Sequence, residues 1–454
     1  MIAMPLTQVA HLLGAQLAPA AAAEVSVTGV ATDTRLIKSG DLFFALDGAN
    51  FKGTDFLPEA FRGGACAAVT HNPRDCGGPL VVVEDAGQSL MDFAGALRGS
   101  LTIPVVGITG SNGKTTTKDA LAAVLGHKFK CVAAVGSYNN RVGLPLTVAR
   151  VESDTEVLVL EIGTSAPGEI ARLSKIAAPS LAVITSIGSS HLEGLGSIEG
   201  VLTEKLTITD GMSADGTLLM NVDDERLNGA FALEKDRAYG PTVESYGIHC
   251  EADHRAYDPE FGVHGTSFRL SPDGIRLESK LIGEHNLQNL LGVAVCAKKL
   301  GMSEAEIATG FATIEPSPMR LEERRINGQR VIFDCYNANP TSMAAAIALV
   351  SSSNLDRRSV AILGDMLELG SQSAKLHRDI GSACATSEID IFLFVGPQMR
   401  HAYENCHSTM SNCGWVEGLA DARLWMSSHL KPSDFILVKG SRGMGLEKPL
   451  GGGA

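Results

Sequence analysis

Ile103-Pro-Val-Val-Gly-Ile-Thr109-Gly110-Ser111-Asn112-Gly113-Lys114-Thr115-Thr116-Thr117 is where the fold is decided. The apolar run up to Ile108 reads as a short buried strand, and Lys118 to Leu125 as a helix. A glycine-bearing loop between the two presents backbone N–H groups at a helix N-terminus, where polyphosphate is stabilised. Gly110 and Gly113 let the backbone turn and approach closely, while Ser111, Asn112 and Thr116 complete the loop wall. Lys114 is placed to reach the outer phosphates of a nucleotide and the Thr115 hydroxyl to ligate magnesium. The spelling departs from the common Gly-x-x-x-x-Gly-Lys-Thr loop, because Ile108 stands where that pattern has glycine.

Outward from the loop, apolar runs alternate with helical stretches: Val157 to Leu160, Leu181 to Ile184 and Thr217 to Met220. That alternation predicts an α/β unit over 101–318 with a doubly wound, mostly parallel sheet. Glu161 ends one of these runs, which puts a carboxylate at the sheet edge where such folds bind ligands. Glu315-Pro-Ser-Pro318 reads as a hinge, since its prolines block helix and ladder. The alternation then restarts at Val331–Phe333, Val360–Leu363, Ile391–Val395 and Phe435–Val438, predicting a smaller Rossmann-like domain over 319–454. Residues 1–100 carry strand-like runs such as Asp41 to Leu46 among Gly-rich turns, so three domains are expected.

The charge of −13 argues against a nucleic-acid partner, because a phosphate backbone rewards a basic face. Nine scattered cysteines, with no Cys-x-x-Cys pair, fit reduced thiols in a cytoplasm better than disulfides or zinc. No apolar window reaches about eighteen residues, which predicts no membrane insertion. The Ala/Leu-rich stretch His11 to Ala23 lacks a basic flank and is interrupted by Gln16 and Pro19, so it reads as helix and loop.

The wording Thr-Gly-Ser-Asn-Gly-Lys-Thr-Thr resembles the Mur ligase superfamily, which also includes folylpolyglutamate synthetases. Further stretches agree in order: Asn139-Asn140-Arg-Val-Gly143, Glu161-Ile-Gly163, Ser190-His191-Leu-Glu193-Gly194, His285-Asn286-x-x-Asn289 and Asp334-Cys-Tyr336-Asn337-Ala-Asn339-Pro340. Leu363-Gly-Asp365-Met-Leu-Glu368-Leu-Gly370 and Lys439-Gly-Ser441-Arg442 resemble the members that add D-alanyl-D-alanine to UDP-N-acetylmuramoyl-tripeptide. No Asp-Asn-Pro-Arg core of the diaminopimelate adders is present. Asp33-Thr34-Arg35 with Gly40-Asp41-Leu-Phe43-Phe44 resembles a uridine-nucleotide module that the folate enzymes lack.

The resemblance implies an ATP- and Mg2+-dependent, monomeric ligase that activates a carboxylate as an acyl phosphate and passes it to an amine. Lys114, Glu161, His191 and Lys205 would be catalytic. Thr115 and Glu161 would hold one metal ion. His191 and a carbamylated Lys205 would face a second. Asn286, Asn289, Arg320, Asp334, Tyr336, Asn337 and Asn339 would contact ATP. Thr34, Arg35, Asp47, Gly48, Asn140, Asp365, Ser441 and Arg442 would contact the UDP-linked peptide or the dipeptide. Two departures stand out: Thr207 where relatives often have Glu, and Gly53-Thr-Asp-Phe56 where relatives often have His. Read on their own residues, Lys205 fits a solvated helix lysine beside Glu204, and Asn286 a helix cap.

Overall fold

The computed structural model of the protein describes residues 1–18, 24–73, 76–236, 239–353 and 357–451. Residues 19–23 of the N-terminal helix-and-loop reading lie outside them. What precedes them is the helix Leu6–Leu12 and the strand Gln16–Ala18.

Seven parallel strands form the central sheet. Their order is His254–Arg255, Thr242–Gly247, Thr217–Asn221, Leu181–Ile184, Val105–Thr109, Val157–Glu161, Cys131–Ala133. The three strands around Val105–Thr109 are buried on both faces, which is why they read as continuous apolar runs rather than alternating ones. On one face lies the helix Glu284–Lys299, with Leu287, Leu290, Leu291 and Ala294 all fully buried. A three-stranded antiparallel meander, Tyr257–Gly262, Gly265–Arg269 and Leu277–Ser279, was not legible in the sequence. Its first strand is exposed from Tyr257 to Phe261, so it carries no apolar alternation to read.

The N-terminal sheet runs Gln16–Ala18, Leu80–Val82, Ala67–Thr70, Asp41–Phe44, Gly29–Ala31, with only the first strand antiparallel. The C-terminal sheet runs Glu322–Ile326, Gln329–Asp334, Phe435–Lys439, Ser359–Gly364, Ile391–Val395, Cys413–Val416, again with one antiparallel edge strand. The two units attach to the middle one differently. A single apolar cluster runs from Val69 and Phe93 of the N-terminal unit into Leu144, Ile170 and Leu173 of the central one. Arg98 ties the same junction by donating to the carbonyls of Ala177 (2.8 Å) and Ala178 (2.9 Å).

Towards the C-terminal unit, Val263 and Ile282 join an apolar cluster with Leu321, Met343 and Ile347, while the linking segment itself is polar and strained. Ser317 donates to Asp119 Oδ2 at 2.6 Å, and Met319 N–H donates to Glu322 Oε2 at 2.9 Å. Met319 (φ 58°) and Leu321 (φ 52°) both adopt the left-handed conformation, one on each side of Arg320. Each costs roughly 1–2 kcal/mol for a residue with a side chain, so the surrounding bonds hold this segment in a set shape.

Candidate active site

Three neighbouring strands of the central sheet end at one edge, and each delivers part of the site there. Val105–Thr109 leads into the phosphate loop, Val157–Glu161 ends in its carboxylate, and Leu181–Ile184 leads to the segment holding Ser186 and His191. The helix Lys114–Leu125 begins directly at Lys114, with Gly113 as its left-handed cap (φ 83°). A side chain at Gly113 would press to 2.3 Å from Asn289 Oδ1, so only glycine fits there.

The loop is braced from behind. The amides of Ser111 and Asn112 donate to Ser186, to its carbonyl at 2.8 Å and its hydroxyl at 3.0 Å. Ser111 Oγ accepts from Gly188 N–H at 2.9 Å and from the Ser190 hydroxyl at 3.1 Å. Ser111 and Asn112 therefore shape the loop, and anion-facing donors come from the helix start, where the first N–H groups have no intrahelical carbonyl. Lys114 Nζ donates to Gly110 O at 2.6 Å. Desolvation, and secondarily the nearby Arg320 guanidinium, pull its pKa below the usual lysine value, with Glu161 acting the other way.

Glu161 is 1% exposed. It accepts from the Thr115 hydroxyl at 2.9 Å and from Asn139 Nδ2 at 2.7 Å. A hydroxyl and a carboxylate oxygen side by side are hard donors that suit magnesium, which takes one or two protein oxygens and fills its shell with phosphate and water. Among the described residues no cluster of three or more His, Cys, Asp or Glu exists. The nine cysteines are thiols rather than disulfides.

Lys205 lies in the helix Ile198–Leu206 and is 2% exposed, so the solvated alternative does not hold. The carboxylate of neighbouring Glu204 is turned away, accepting from Gly168 N–H at 2.7 Å and Ile170 N–H at 2.8 Å. Burial, reinforced by Lys114, drives the Lys205 pKa well below its ordinary value. A neutral amine there is the form that reacts with CO2. His191 sits in a left-handed conformation (φ 53°) and its Nδ1 is 2.8 Å from Glu368 Oε2 of the C-terminal unit. Its pKa is lowered by burial first and by Lys114 next, against the raising effect of Glu368.

The C-terminal unit closes on this edge with its own strand ends. Arg320 Nη2 donates to Thr115 Oγ1 at 2.9 Å, and its guanidinium lies 4.1 Å from the centre of the Tyr336 ring. Tyr336 shares a hydroxyl–hydroxyl contact with Ser137. Asn339 caps the helix Pro340–Ser351 and also reaches Asn112. Asp334 pairs with Lys439, which is 1% exposed. Asn337 is exposed and accepts from Ala338 N–H at 2.9 Å. Asn286 and Asn289 share a face as their spacing predicts, at 3.3 Å. Asn286 is not the helix cap, which is Gly283; it donates to Ile282 O at 2.8 Å instead.

The residues expected to read the UDP-peptide and dipeptide are spread over three places. Thr34, Arg35, Asp47 and Gly48 follow two adjacent strands of the N-terminal sheet. There Thr34 donates to Glu59 at 2.8 Å, Arg35 pairs with Asp33, and Asp47 accepts from Gly53 N–H at 2.8 Å. Asn140 lines a cavity of about 310 Å3 with Lys114, Arg141, Arg172, His191 and one carboxylate, Glu169, a lining with more cations than anions that suits a carboxylated substrate. Asp365 faces away from this cleft: it is 3% exposed and accepts from Met399 N–H at 2.7 Å and Gln398 N–H at 3.3 Å. Ser441 accepts from Leu367 N–H at 2.9 Å, and Arg442 is held 3.2 Å from Glu447.

Several participants escaped sequence reading. Lys118 is fully buried one helical turn beyond Lys114 and donates to the carbonyls of Ala134 (2.7 Å) and Gly136 (2.9 Å). It thereby steadies the loop that carries Ser137 and Asn139. Nothing in a Thr-Thr-Thr-Lys run separates such a lysine from a solvated one. Arg141 and Arg172 become visible only as the shared lining of the cavity.

Comparison with known proteins bears on the whole arrangement. The family descriptions "Mur ligase middle domain", "Mur ligase, glutamate ligase domain" and "Mur ligase family, catalytic domain" match residues 108–297, 319–442 and 26–93. The UDP-N-acetylmuramoyl-tripeptide--D-alanyl-D-alanine ligase of Bacillus subtilis is 34% identical over 99% of this chain and 98% of its own. The Escherichia coli protein of the same name is 32% identical, with the same coverage. A crystal structure of MurF from Acinetobacter baumannii superposes with a TM-score of 0.90 at 27% identity, over 99% of this chain and 98% of that one. MurF ligase from Thermotoga maritima, solved with ADP, gives 0.81 at 25% identity, over 94% and 97%. With three matched segments in order and relatives aligned end to end, the chain belongs to the Mur ligase family.

Proposed function

We propose that this protein is an ATP-dependent ligase that joins D-alanyl-D-alanine to UDP-N-acetylmuramoyl-tripeptide, forming the UDP-muramoyl-pentapeptide precursor of peptidoglycan and releasing ADP and phosphate. Near-full-length similarity to ligases of that name supports the substrate pair. The observation that carries the chemistry is the sharing of one hydroxyl: Thr115 Oγ1 donates to Glu161 and accepts from Arg320, joining elements of two sheets at the phosphate loop.

The reaction brings a peptide carboxylate against the γ-phosphate of ATP, anion against anion, so positive charge must gather where they meet. Lys114 and Arg320 supply it from opposite walls, and both are fixed beforehand by hydrogen bonds. Attack by the carboxylate gives an acyl phosphate, whose carbonyl is then taken by the dipeptide amine. Magnesium, held by Thr115, Glu161 and the phosphates, would neutralise the oxygens that carry the developing charge. His191 and Lys205, the latter carbamylated, are our assignment for the carboxylate side. Closure of the C-terminal unit over the loop excludes water from the activated carbonyl.

We assign residues 1–100 to the uridine nucleotide, 101–318 to ATP and 319–454 to closure and the dipeptide, with Thr34, Arg35, Asp47 and Gly48 on the nucleotide. The protein is taken as a cytoplasmic monomer. No described helix is long and apolar enough to cross a membrane. Phosphate release from ATP, with UDP-N-acetylmuramoyl-tripeptide and D-alanyl-D-alanine added singly and together, tests the reading. Release is expected only when both are present; release with a single amino acid in place of the dipeptide would move the protein to a sister ligase.

A further inference from the structure

Glu368 stands out among the charged groups for which the proposed mechanism has no use. It lies in the loop after the strand Ser359–Gly364 and holds a left-handed conformation (φ 63°) that residues with side chains avoid. The loop is pinned around it. Met366 N–H donates to His377 Nε2 at 3.0 Å, and Leu367 N–H donates to Ser441 Oγ at 2.9 Å. Gly370 packs against Glu193 of the central unit, where an added Cβ would lie 3.7 Å from the Glu193 backbone. Thus fixed, the Glu368 side chain crosses the cleft to His191 while staying 63% exposed.

We propose that the Glu368 carboxylate binds the ammonium group of the incoming dipeptide and sets it beside the activated carbonyl. This rests on the ligase reading above. The argument is one of placement and charge. The Glu368 carboxylate reaches His191 through Oε2 and stays 63% exposed, which leaves it room for a cationic partner, the stronger kind for a carboxylate. The position next to His191 and Lys114 is where the carboxylate end of the acceptor substrate is assigned. An amine held on Glu368 approaches that point from the C-terminal side of the cleft, and reacting atoms must come to about 3–3.5 Å.

The dipeptide has a second charge, and the same loops supply its counterpart. Arg442 follows Ser441, and Glu368 follows Leu367, so both charges flank the 2.9 Å hydrogen bond between those two residues. The Arg442 side chain is 57% exposed. The carboxylate end of the dipeptide would fall to that guanidinium, which Glu447 already holds in place at 3.2 Å.

The test is steady-state kinetics of the full chain with Glu368→Gln. Glutamine keeps the size and the hydrogen bond to His191 and removes only the charge. The KM for D-alanyl-D-alanine is expected to rise about tenfold or more, with those for ATP and the UDP-tripeptide within about twofold. Propionyl-D-alanine, which lacks the amine, should inhibit wild type and variant equally, and Glu368→Asp should recover part of the loss. An unchanged dipeptide KM, or an equal rise in all three, overturns the proposal; the second outcome marks Glu368 as a domain latch. A wild-type enzyme that ignores the dipeptide but uses a single amino acid overturns the dipeptide assignment of the ligase, and this inference with it.

Discussion

Asn112 of the phosphate loop and Asn339 of the C-terminal unit exchange amide hydrogen bonds across the cleft, at 2.8 Å in one direction and 3.4 Å in the other. Only one of the two also holds up its own element: Asn339 accepts from Ser342 N–H at 2.9 Å and caps the helix that follows. Asn112→Ala should raise the KM for ATP several-fold with little change in melting temperature. Asn339→Ala should raise it similarly and cost about 1 kcal/mol of stability besides. The double variant should lose little further ATP affinity, since both changes break one contact; full additivity in a double-mutant cycle would mean the pair is uncoupled.

Lys114→Ala should reduce ATP-dependent phosphate release by about 100-fold to 1,000-fold or more, the range for removing a single preorganised donor. Its thermal midpoint should stay near that of wild type. Near-normal turnover would sink the phosphate-loop assignment.

Lys205→Ala should lose ligase activity and regain part of it with a short added carboxylic acid, which can take the place of a carbamate. Mass spectrometry of the wild-type protein under native conditions with added bicarbonate should show the extra carboxylate on Lys205. A fully active Lys205→Ala enzyme removes the carbamate from the mechanism.

His377 gives the molecule an acid-sensitive point away from the chemistry. It is fully buried, its Nδ1 is 2.8 Å from Ser373 O, and its Nε2 accepts from Met366 N–H, which requires the neutral ring. Burial lowers its pKa below 6.5, outweighing its backbone bond and Asp365. The unfolded chain therefore takes up a proton, as pH falls through about 6.5, that the native state refuses, and stability drops with it. Melting temperature measured between about pH 7.5 and about pH 5.5 should fall, and His377→Gln should flatten that slope. An unchanged slope in the variant would assign the acid sensitivity to other groups.

Local chemistry was what the sequence carried well. The phosphate loop, the strand-ending Glu161 and the apolar face of the helix Glu284–Lys299 are each written in a few adjacent residues, because strand, turn and helix periodicities are short-range. Contacts between distant segments were not legible. Lys118 is buried because the backbone of residues 134–136 folds over it. His191 and Glu368 meet because both take left-handed conformations that their side chains disfavour, which no pattern of residue types announces. Asp365 shows the same limit from the other side: a carboxylate in a family-like motif accepts from the start of the helix Met399–His407, a partner more than thirty residues away.

Met319 and Leu321 give the connection between the central and C-terminal units the character of a crank rather than a rope. A slack tether would let the C-terminal sheet swing while Arg320 stayed on Thr115. Here the guanidinium sits between two backbone torsions that are already wound against their preference, so a swing that unwinds either one turns Arg320 as well. Opening the cleft and withdrawing positive charge from the phosphate loop thus become a single movement, geared through three residues.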